Sequence, residues 1–243
     1  MKNNITLFMY SHSTYSDAWS PFFSQSEKYL KEYKKVVFSD ECPVKIPDNW
    51  NFIKYDNKDS YSERVYKCLE EIDTELCFLH HEDMFLYGEP QKNTLSLYEE
   101  IVEKEDIDFI RLLRSVDSPS FSYKSVKSLF PIPSYSQYYF SVQPTICKTE
   151  SLINICKNTK ISHLREFEIK VQEACRENKI KGLFHYDNEP RHHEQGSLHY
   201  ESKVYPYVAT AIVKGKWNFS GYGNQLKIIL DENKIDVDIR GKI

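Results

Sequence analysis

The sequence predicts a single α/β domain built on a mostly parallel central sheet flanked by helices. Three observations carry that reading. Short apolar runs alternate with amphipathic segments through the first half of the chain. The runs are nearly continuous in hydrophobic residues, as strands buried on both faces are. A length of 243 residues is enough for one full core without disulfide or metal staples.

Taken in order, Ile5–Met9 reads as a first strand. Asp17–Tyr33 reads as a helix, capped by Ser16 or Asp17, with Pro21 tolerated in its first turn and Trp19, Phe22, Phe23, Leu30 and Tyr33 on one face. Val36–Phe38 is a second strand, followed by a polar loop with Pro43 and Pro47, and Asn51–Tyr55 is a third. Ser60–Ile72 carries Tyr61, Val65, Leu69 and Ile72 at helical spacing. Leu76–Leu79 is a fourth strand, Thr94–Lys104 a helix and Asp108–Leu113 a fifth strand. The second half is less regular. Ser115–Ser136, rich in Ser, Pro and Tyr, reads as a long loop or lid. Tyr138–Val142 reads as a strand ending at Gln143-Pro144, and Leu164–Asn178 as a helix with Phe167, Val171 and Cys175 on one face. Asp187–Ser202 is a polar loop. A last module holds Tyr205-Pro206-Tyr207, the turn Lys214-Gly215-Lys216-Trp217 and an amphipathic run with Leu226, Ile229 and Leu230.

Composition removes several function classes. A net charge of −4 argues against a general nucleic-acid binder. The six cysteines, at 42, 68, 77, 147, 156 and 175, include no C-x-x-C pair, which removes the common zinc patterns and makes a reduced, cytoplasmic state the default. No stretch approaches the roughly 20 apolar residues of a membrane span. The opening run is too short for a signal-peptide core. Neither G-x-G-x-x-G nor G-x-x-x-x-G-K-[ST] is present. Tyrosine (18) and phenylalanine (14) are abundant; such rings stack well on sugar faces, although composition alone favours ordinary core and interface packing.

Chemistry concentrates at strand ends, where parallel sheets bind ligands. His80-His81-Glu82-Asp83 follows the fourth strand directly. Two carboxylates at the end of a buried strand are costly unless a cation meets them, and a divalent metal carrying a phosphorylated ligand is such a partner. Adjacent strand residues point to opposite faces, so both cannot grip one ion unless the chain turns there; Asp83 is the expected metal ligand and Glu82 a contact to ribose or to a metal-bound water. Ser11-His12-Ser13 and Asp17 follow the first strand. Ser62-Glu63-Arg64 opens a helix, where free N–H groups and a cation suit phosphate, or where Ser60 and Glu63 simply cap. Glu166 and Glu168 begin another helix, as a general base or as acids favoured by the helix dipole. Arg191-His192-His193-Glu194 supplies many donors to a loop, and Lys214 and Lys216 flank a turn.

The order of these pieces resembles small nucleotide-sugar glycosyltransferases of the GT-A type, found in bacterial and viral surface-polysaccharide clusters. The resembling stretches are Tyr10-Ser11-His12-Ser13 with Tyr15-Ser16-Asp17 and Trp19-Ser20-Pro21-Phe22-Phe23, then Tyr61-Ser62-Glu63-Arg64-Val65 and Leu79-His80-His81-Glu82-Asp83-Met84-Phe85-Leu86. Phe140-Ser141-Val142-Gln143-Pro144, Phe167-Glu168 and Lys214-Gly215-Lys216-Trp217 complete them. They span most of the chain; none is specific alone. The resemblance implies a GT-A-like fold in which residues 1–113 form a nucleotide-binding half, 114–204 an acceptor and donor-sugar half, and 205–243 a closing segment. It implies nucleotide or donor contacts at Ser11, His12, Ser13, Asp17, Asp56, Ser62, Arg64, Glu82, Gln143, Arg191, Lys214 and Lys216. Glu168 falls where inverting members carry the catalytic base, with Glu166 beside it. His81-Glu82-Asp83 matches the Asp-x-Asp element with its first acid replaced by histidine. Mn²⁺ or Mg²⁺ is then expected at Asp83, with a second ligand from His185, His192 or His193. The implied partners are a nucleoside-diphosphate sugar and a glycan, glycolipid or glycoprotein acceptor. The expected location is the cytoplasm (the host's, for a viral protein), with peripheral membrane contact allowed. Two other classes fit the same residues: a metal-dependent phosphoesterase or nucleotidyltransferase using Arg191-His192-His193, and a non-catalytic carbohydrate-binding module using the tyrosines.

Overall fold

The computed structural model describes residues 2–159, 161, 163–192 and 198–243. Strand β1 (Lys2–Tyr10) leads through a 3₁₀ segment (Ser13–Ala18) into α1 (Trp19–Tyr29). The helix ends earlier than its periodicity suggests, because Tyr33 belongs to β2 (Tyr33–Ser39). Next come β3 (Trp50–Lys54), α2 (Tyr61–Leu69), β4 (Leu76–His81), α3 (Lys92–Lys104), β5 (Phe109–Arg111) and β6 (Leu129–Pro131). Helix α2 opens on the capping box read from the sequence: the Ser60 hydroxyl accepts from the Glu63 amide, and the Glu63 carboxylate accepts from the Ser60 amide. The chain then forms β7 (Thr145–Lys148), α4 (Thr149–Lys157), α5 (Leu164–Glu177), β8 (Gly182–His185), the hairpin β9 (Ile212–Val213) and β10 (Lys216–Trp217), α6 (Phe219–Glu232) and α7 (Val237–Arg240).

Eight strands form one sheet in the order β3-β2-β1-β4-β7-β5-β8-β6. Pairings β1–β2, β2–β3, β1–β4 and β5–β8 are parallel, whereas β7 and β6 pair antiparallel to their neighbours. Alternate residues of β1 enter two cores. Leu7 and Met9 pack with α1, α3 and α6 on one face, and Phe8 and Tyr10 with α2, α4 and α5 on the other. Each such large apolar side chain contributes roughly 1.5–3 kcal/mol by leaving water. Gly182 on β8 lies against the Phe109 ring of β5, where a Cβ would collide.

The expected strand at Tyr138–Val142 is not one. Its aromatic and β-branched residues are instead latched to α5. The Gln172 carboxamide pairs with both the amide (3.0 Å) and the carbonyl (2.8 Å) of Phe140, and Glu168 accepts from the Val142 amide at 2.9 Å. The ladder residues are the ones after Pro144, in β7, which the sequence reading passed over along with α4 and β8.

Candidate functional site

Strand order reverses between β1 and β4: β1 leads outward to β2 and β3 on one side, and β4 begins the other side. In open α/β sheets that reversal opens a crevice at the carboxyl ends of the two strands. A cleft of about 620 Å³ lies there, within the range of small-ligand sites. It is lined by Tyr15 from the 3₁₀ segment, by His81, Glu82 and Asp83 after β4, by Tyr138 and Ser141, by Glu168 of α5, by Ile212 and Val213 of β9, and by His199 and Tyr222.

The chain turns at the acid pair. β4 ends at His81, whose carbonyl accepts from the Met84 amide at 3.1 Å, closing a turn across Glu82 and Asp83. Strand alternation therefore does not apply, and both carboxylates line the same cleft: the chain makes the turn that the sequence reading held as its exception. The Asp83 carboxylate accepts from the Ile212 amide (3.3 Å) and its carbonyl from the Ala211 amide (3.1 Å), which fastens β9 to the turn. Burial pushes Glu82 up, the neighbouring Asp83 charge adds to that, and a Ser11 hydroxyl hydrogen bond opposes it. Burial likewise pushes Asp83 up against its backbone hydrogen bonds. The pair holds protons more tightly than ordinary carboxylates. The nearby cation is Arg240 of α7, which favours the charged form of both acids. Its guanidinium pairs with Asp17 (2.9 Å from Nε) and lies over the Tyr15 and Trp217 rings.

The histidines are scaffold. His80 faces one core, with Nε2 2.6 Å from the Tyr205 hydroxyl; His81 faces the other, with Nε2 3.1 Å from the Tyr61 hydroxyl. Burial depresses them to about 3 and about 4, so both are neutral at physiological pH.

Behind the cleft, Ser11 is buried. Its hydroxyl accepts from the Trp19 indole at 2.7 Å and its carbonyl from the Tyr55 hydroxyl at 2.7 Å. The following residues are pinned by Asp40, at the end of β2. The Ser13 amide (2.8 Å) and hydroxyl (3.0 Å) and the Asn57 carboxamide (2.8 Å) donate to its carboxylate, and His12 Nε2 lies 3.4 Å away. Burial raises Asp40, but these donors outweigh it and hold the acid down at about 2. Glu168 is largely buried; burial raises it, and the Val142 amide bond partly offsets the rise. One oxygen is thus fixed, in a side chain that lines the cleft.

The other expected residues lie elsewhere. Glu166 pairs with Lys170 at 2.6 Å outside the cleft lining. Asp56 is exposed and accepts from the Lys58 amide, and buried Ser62 accepts from the Ile161 amide at 3.2 Å. Arg64 donates to the Asp59 carbonyl (2.9 Å) and lies over the Tyr55 ring. These three organise the loops around α2 and do not line the cleft. Gln143 is buried and donates to the Ser141 hydroxyl at 2.6 Å. His185 lies outside the cleft lining, with Nδ1 2.8 Å from the Tyr98 hydroxyl and Nε2 3.2 Å from Asp187. Arg191 is exposed and bridges Tyr200 through its backbone. His192 pairs with Glu201 at 2.6 Å and stacks on Tyr222. His193 and Glu194 lie outside the described residues. Lys214 and Lys216 are exposed on the β9–β10 hairpin, beside cleft-lining Ile212 and Val213. Sequence reasoning missed Asp40, although it obeys the same strand-end rule as Glu82 and Asp83. It also missed Arg240, for which the local sequence carries no signal.

Hard carboxylate oxygens at Glu82 and Asp83 suit Mg²⁺ or Mn²⁺. Among the described residues no group of three His, Cys, Asp or Glu side chains could hold an ion unaided. Such a two-acid set fits the kind of site that substrate phosphates and water complete.

No family model and no curated protein matches the chain. Among solved structures, S. aureus TarS 1-349 aligns over 97% of this chain and 66% of its own, with a TM-score of 0.51 at 12% identity. The same protein in complex with UDP-GlcNAc aligns over 78% and 60%, with a TM-score of 0.48 at 12% identity. The bifunctional IspDF from Campylobacter jejuni aligns over 77% and 50%, with a TM-score of 0.47 at 19% identity. The chain thus spans between half and two thirds of these proteins. At such identities the likeness is one of fold: a single α/β domain similar to GT-A glycosyltransferase structures. Among the described residues no helix is long and apolar enough to cross a membrane.

Proposed function

We propose that this chain is a glycosyltransferase that moves a hexosyl or pentosyl group from a nucleoside-diphosphate sugar to a hydroxyl of a glycan, glycolipid or glycoprotein acceptor, with inversion and with assistance from a divalent metal. One observation carries the reading: the acid pair Glu82–Asp83 and the separately held Glu168 line one cleft at the switch point of the sheet. Residues 1–113 contribute the nucleotide side, 114–204 the acceptor side, and 205–243 the closing hairpin and helices.

Asp83, with Glu82, would hold Mn²⁺ or Mg²⁺ beside the donor's phosphates. A metal held there would supply positive charge against the departing diphosphate. Arg240 adds positive charge on the same side. Glu168 takes the proton. Its free oxygen accepts it from the acceptor hydroxyl as that oxygen bonds to the anomeric carbon and the bond to the diphosphate breaks, its electron pair leaving with the phosphate. The raised proton affinity of a buried Glu168 suits a base working near neutrality. Tyr138 and Tyr222 supply faces for the sugar and limit water at the reacting carbon. The cytoplasm is the proposed setting.

Product analysis tests the reading. Incubation with UDP-, GDP- and TDP-hexoses and Mn²⁺, beginning with UDP-GlcNAc, is expected to release intact nucleoside diphosphate. Glu168→Gln is expected to lose that turnover while keeping donor affinity within about twofold. Release of nucleoside monophosphate, from cleavage between the phosphates, would assign the site to a phosphoesterase or nucleotidyltransferase instead.

A further inference from the structure

We infer that the groove along α5 beside Glu168 is the acceptor subsite, and that it takes an uncharged, hydroxyl-rich sugar. This rests on the glycosyltransferase reading above. A second cavity, of about 520 Å³, adjoins the cleft and shares two lining residues with it, Tyr138 and Glu168. Glu168 therefore stands where the two spaces meet. In a displacement at the anomeric carbon, nucleophile and leaving group occupy opposite sides of that carbon. With the diphosphate at Glu82–Asp83, the hydroxyl must arrive past Glu168, and the shared wall makes the second groove its approach.

The chemistry of the groove narrows the occupant. Beyond the shared pair it offers the Gln137 carboxamide, the Glu173 carboxylate and the Arg176 guanidinium, so it both donates and accepts hydrogen bonds. Its charges balance, with Lys170 and Arg176 against Glu168 and Glu173, and Lys170 is already paired with Glu166. Neither a polyanion nor a polycation is favoured by such a surface. Gln172 is part of the wall, since both ends of its carboxamide are held by backbone. Arg176 Nε donates to the Ser134 carbonyl at 3.1 Å, which holds the guanidinium in the groove wall. A wall that sets Tyr138 beside amide, carboxylate and guanidinium groups matches a pyranose, which presents an apolar face and a rim of hydroxyls.

The test uses p-nitrophenyl hexosides as acceptors with UDP-, GDP- and TDP-hexose donors, comparing the wild type with Gln137→Trp, which fills the groove, and Glu173→Ala, which removes a hydrogen-bond acceptor from its wall. The expected result is a tenfold or larger rise in acceptor KM in both variants, with donor KM within twofold. Wild-type transfer with acceptor KM unchanged in both variants overturns the groove assignment and leaves the glycosyltransferase reading standing. Donor hydrolysis by the wild type without transfer to any hexoside overturns the sugar assignment. Failure of the wild type to release nucleoside diphosphate from any donor removes the reading and the groove together.

Discussion

Asp40 offers the sharpest physical prediction, because one carboxylate fixes the loop that borders the cleft. Its oxygens collect the Ser13 amide and hydroxyl and the Asn57 carboxamide, and the side chain is almost wholly buried. Although burial works against the charge, the donors bring the acid from an ordinary 3.8 down to about 2. At about 1.4 kcal/mol per tenfold change in proton affinity, that difference corresponds to ~2 kcal/mol of stability at neutral pH. Solvent screening at the loop edge reduces it to about 1–2 kcal/mol. For a chain of this length, Asp40→Asn should therefore lower the melting temperature by about 3–6 °C at pH 7. The sign follows from the depressed value. An acid whose folded pKa lies below its unfolded one stabilises fully above the unfolded value, and that contribution fades as pH falls through the folded one. The gap between wild type and Asp40→Asn, followed by urea unfolding, should be full down to about pH 4.5 and roughly halved near pH 3. A gap that stays constant from pH 7 to pH 3 would refute the reasoning, since it would show that the charge on Asp40 contributes nothing. The variant should also weaken nucleoside-diphosphate binding by releasing His12 and Ser13.

Three other outcomes follow from the same geometry. Glu82→Gln removes an acid that folding forces to take up a proton at neutral pH and should raise the melting temperature of the ligand-free protein by a few degrees at pH 7, while abolishing the stabilisation given by UDP with Mn²⁺; both are read in one thermal-shift experiment. Asp117→Ala leaves the fully buried Arg111, 3.0 Å from Asp117 in the wild type, without its counter-charge, and should cost about 3–5 kcal/mol in urea unfolding. Gly182→Ala drives a methyl into the Phe109 ring and should cost about 1–3 kcal/mol, whereas Gly223→Ala, whose nearest neighbour is 3.8 Å away, should be nearly neutral.

Much of the first half was legible because its signals are local. The Ser60–Glu63 capping box, Pro21 in a first turn and the apolar run ending at Leu79 each fix their own element within a few residues. The second half failed where distant partners decide. Tyr138–Val142 has strand-like residues, yet Gln172 and Glu168 of α5 take its backbone groups, so the ladder begins only after Pro144. At the site, the acids after β4 and Glu168 were visible as residue types. The turn that brings Glu82 and Asp83 to one cleft was not, since it depends on the His81–Met84 hydrogen bond and on β9 docking against Asp83. Ser62 and Arg64 looked like phosphate contacts from their place at a helix start, but their partners are the Ile161 amide and loop carbonyls. Arg240 reaches the acid pair through Asp17 and the tertiary fold alone.

The central claim is that the cleft at the end of β4 receives a nucleoside diphosphate against Glu82 and Asp83. A crystal soaked with UDP, or with the diphosphate of whichever donor is turned over, together with Mn²⁺, tests it most directly. Diphosphate density is expected beside these two carboxylates, with an ion within coordinating distance of an Asp83 oxygen. Nucleotide bound elsewhere on the molecule, with the cleft at Glu82 and Asp83 holding only water at millimolar ligand, would contradict it.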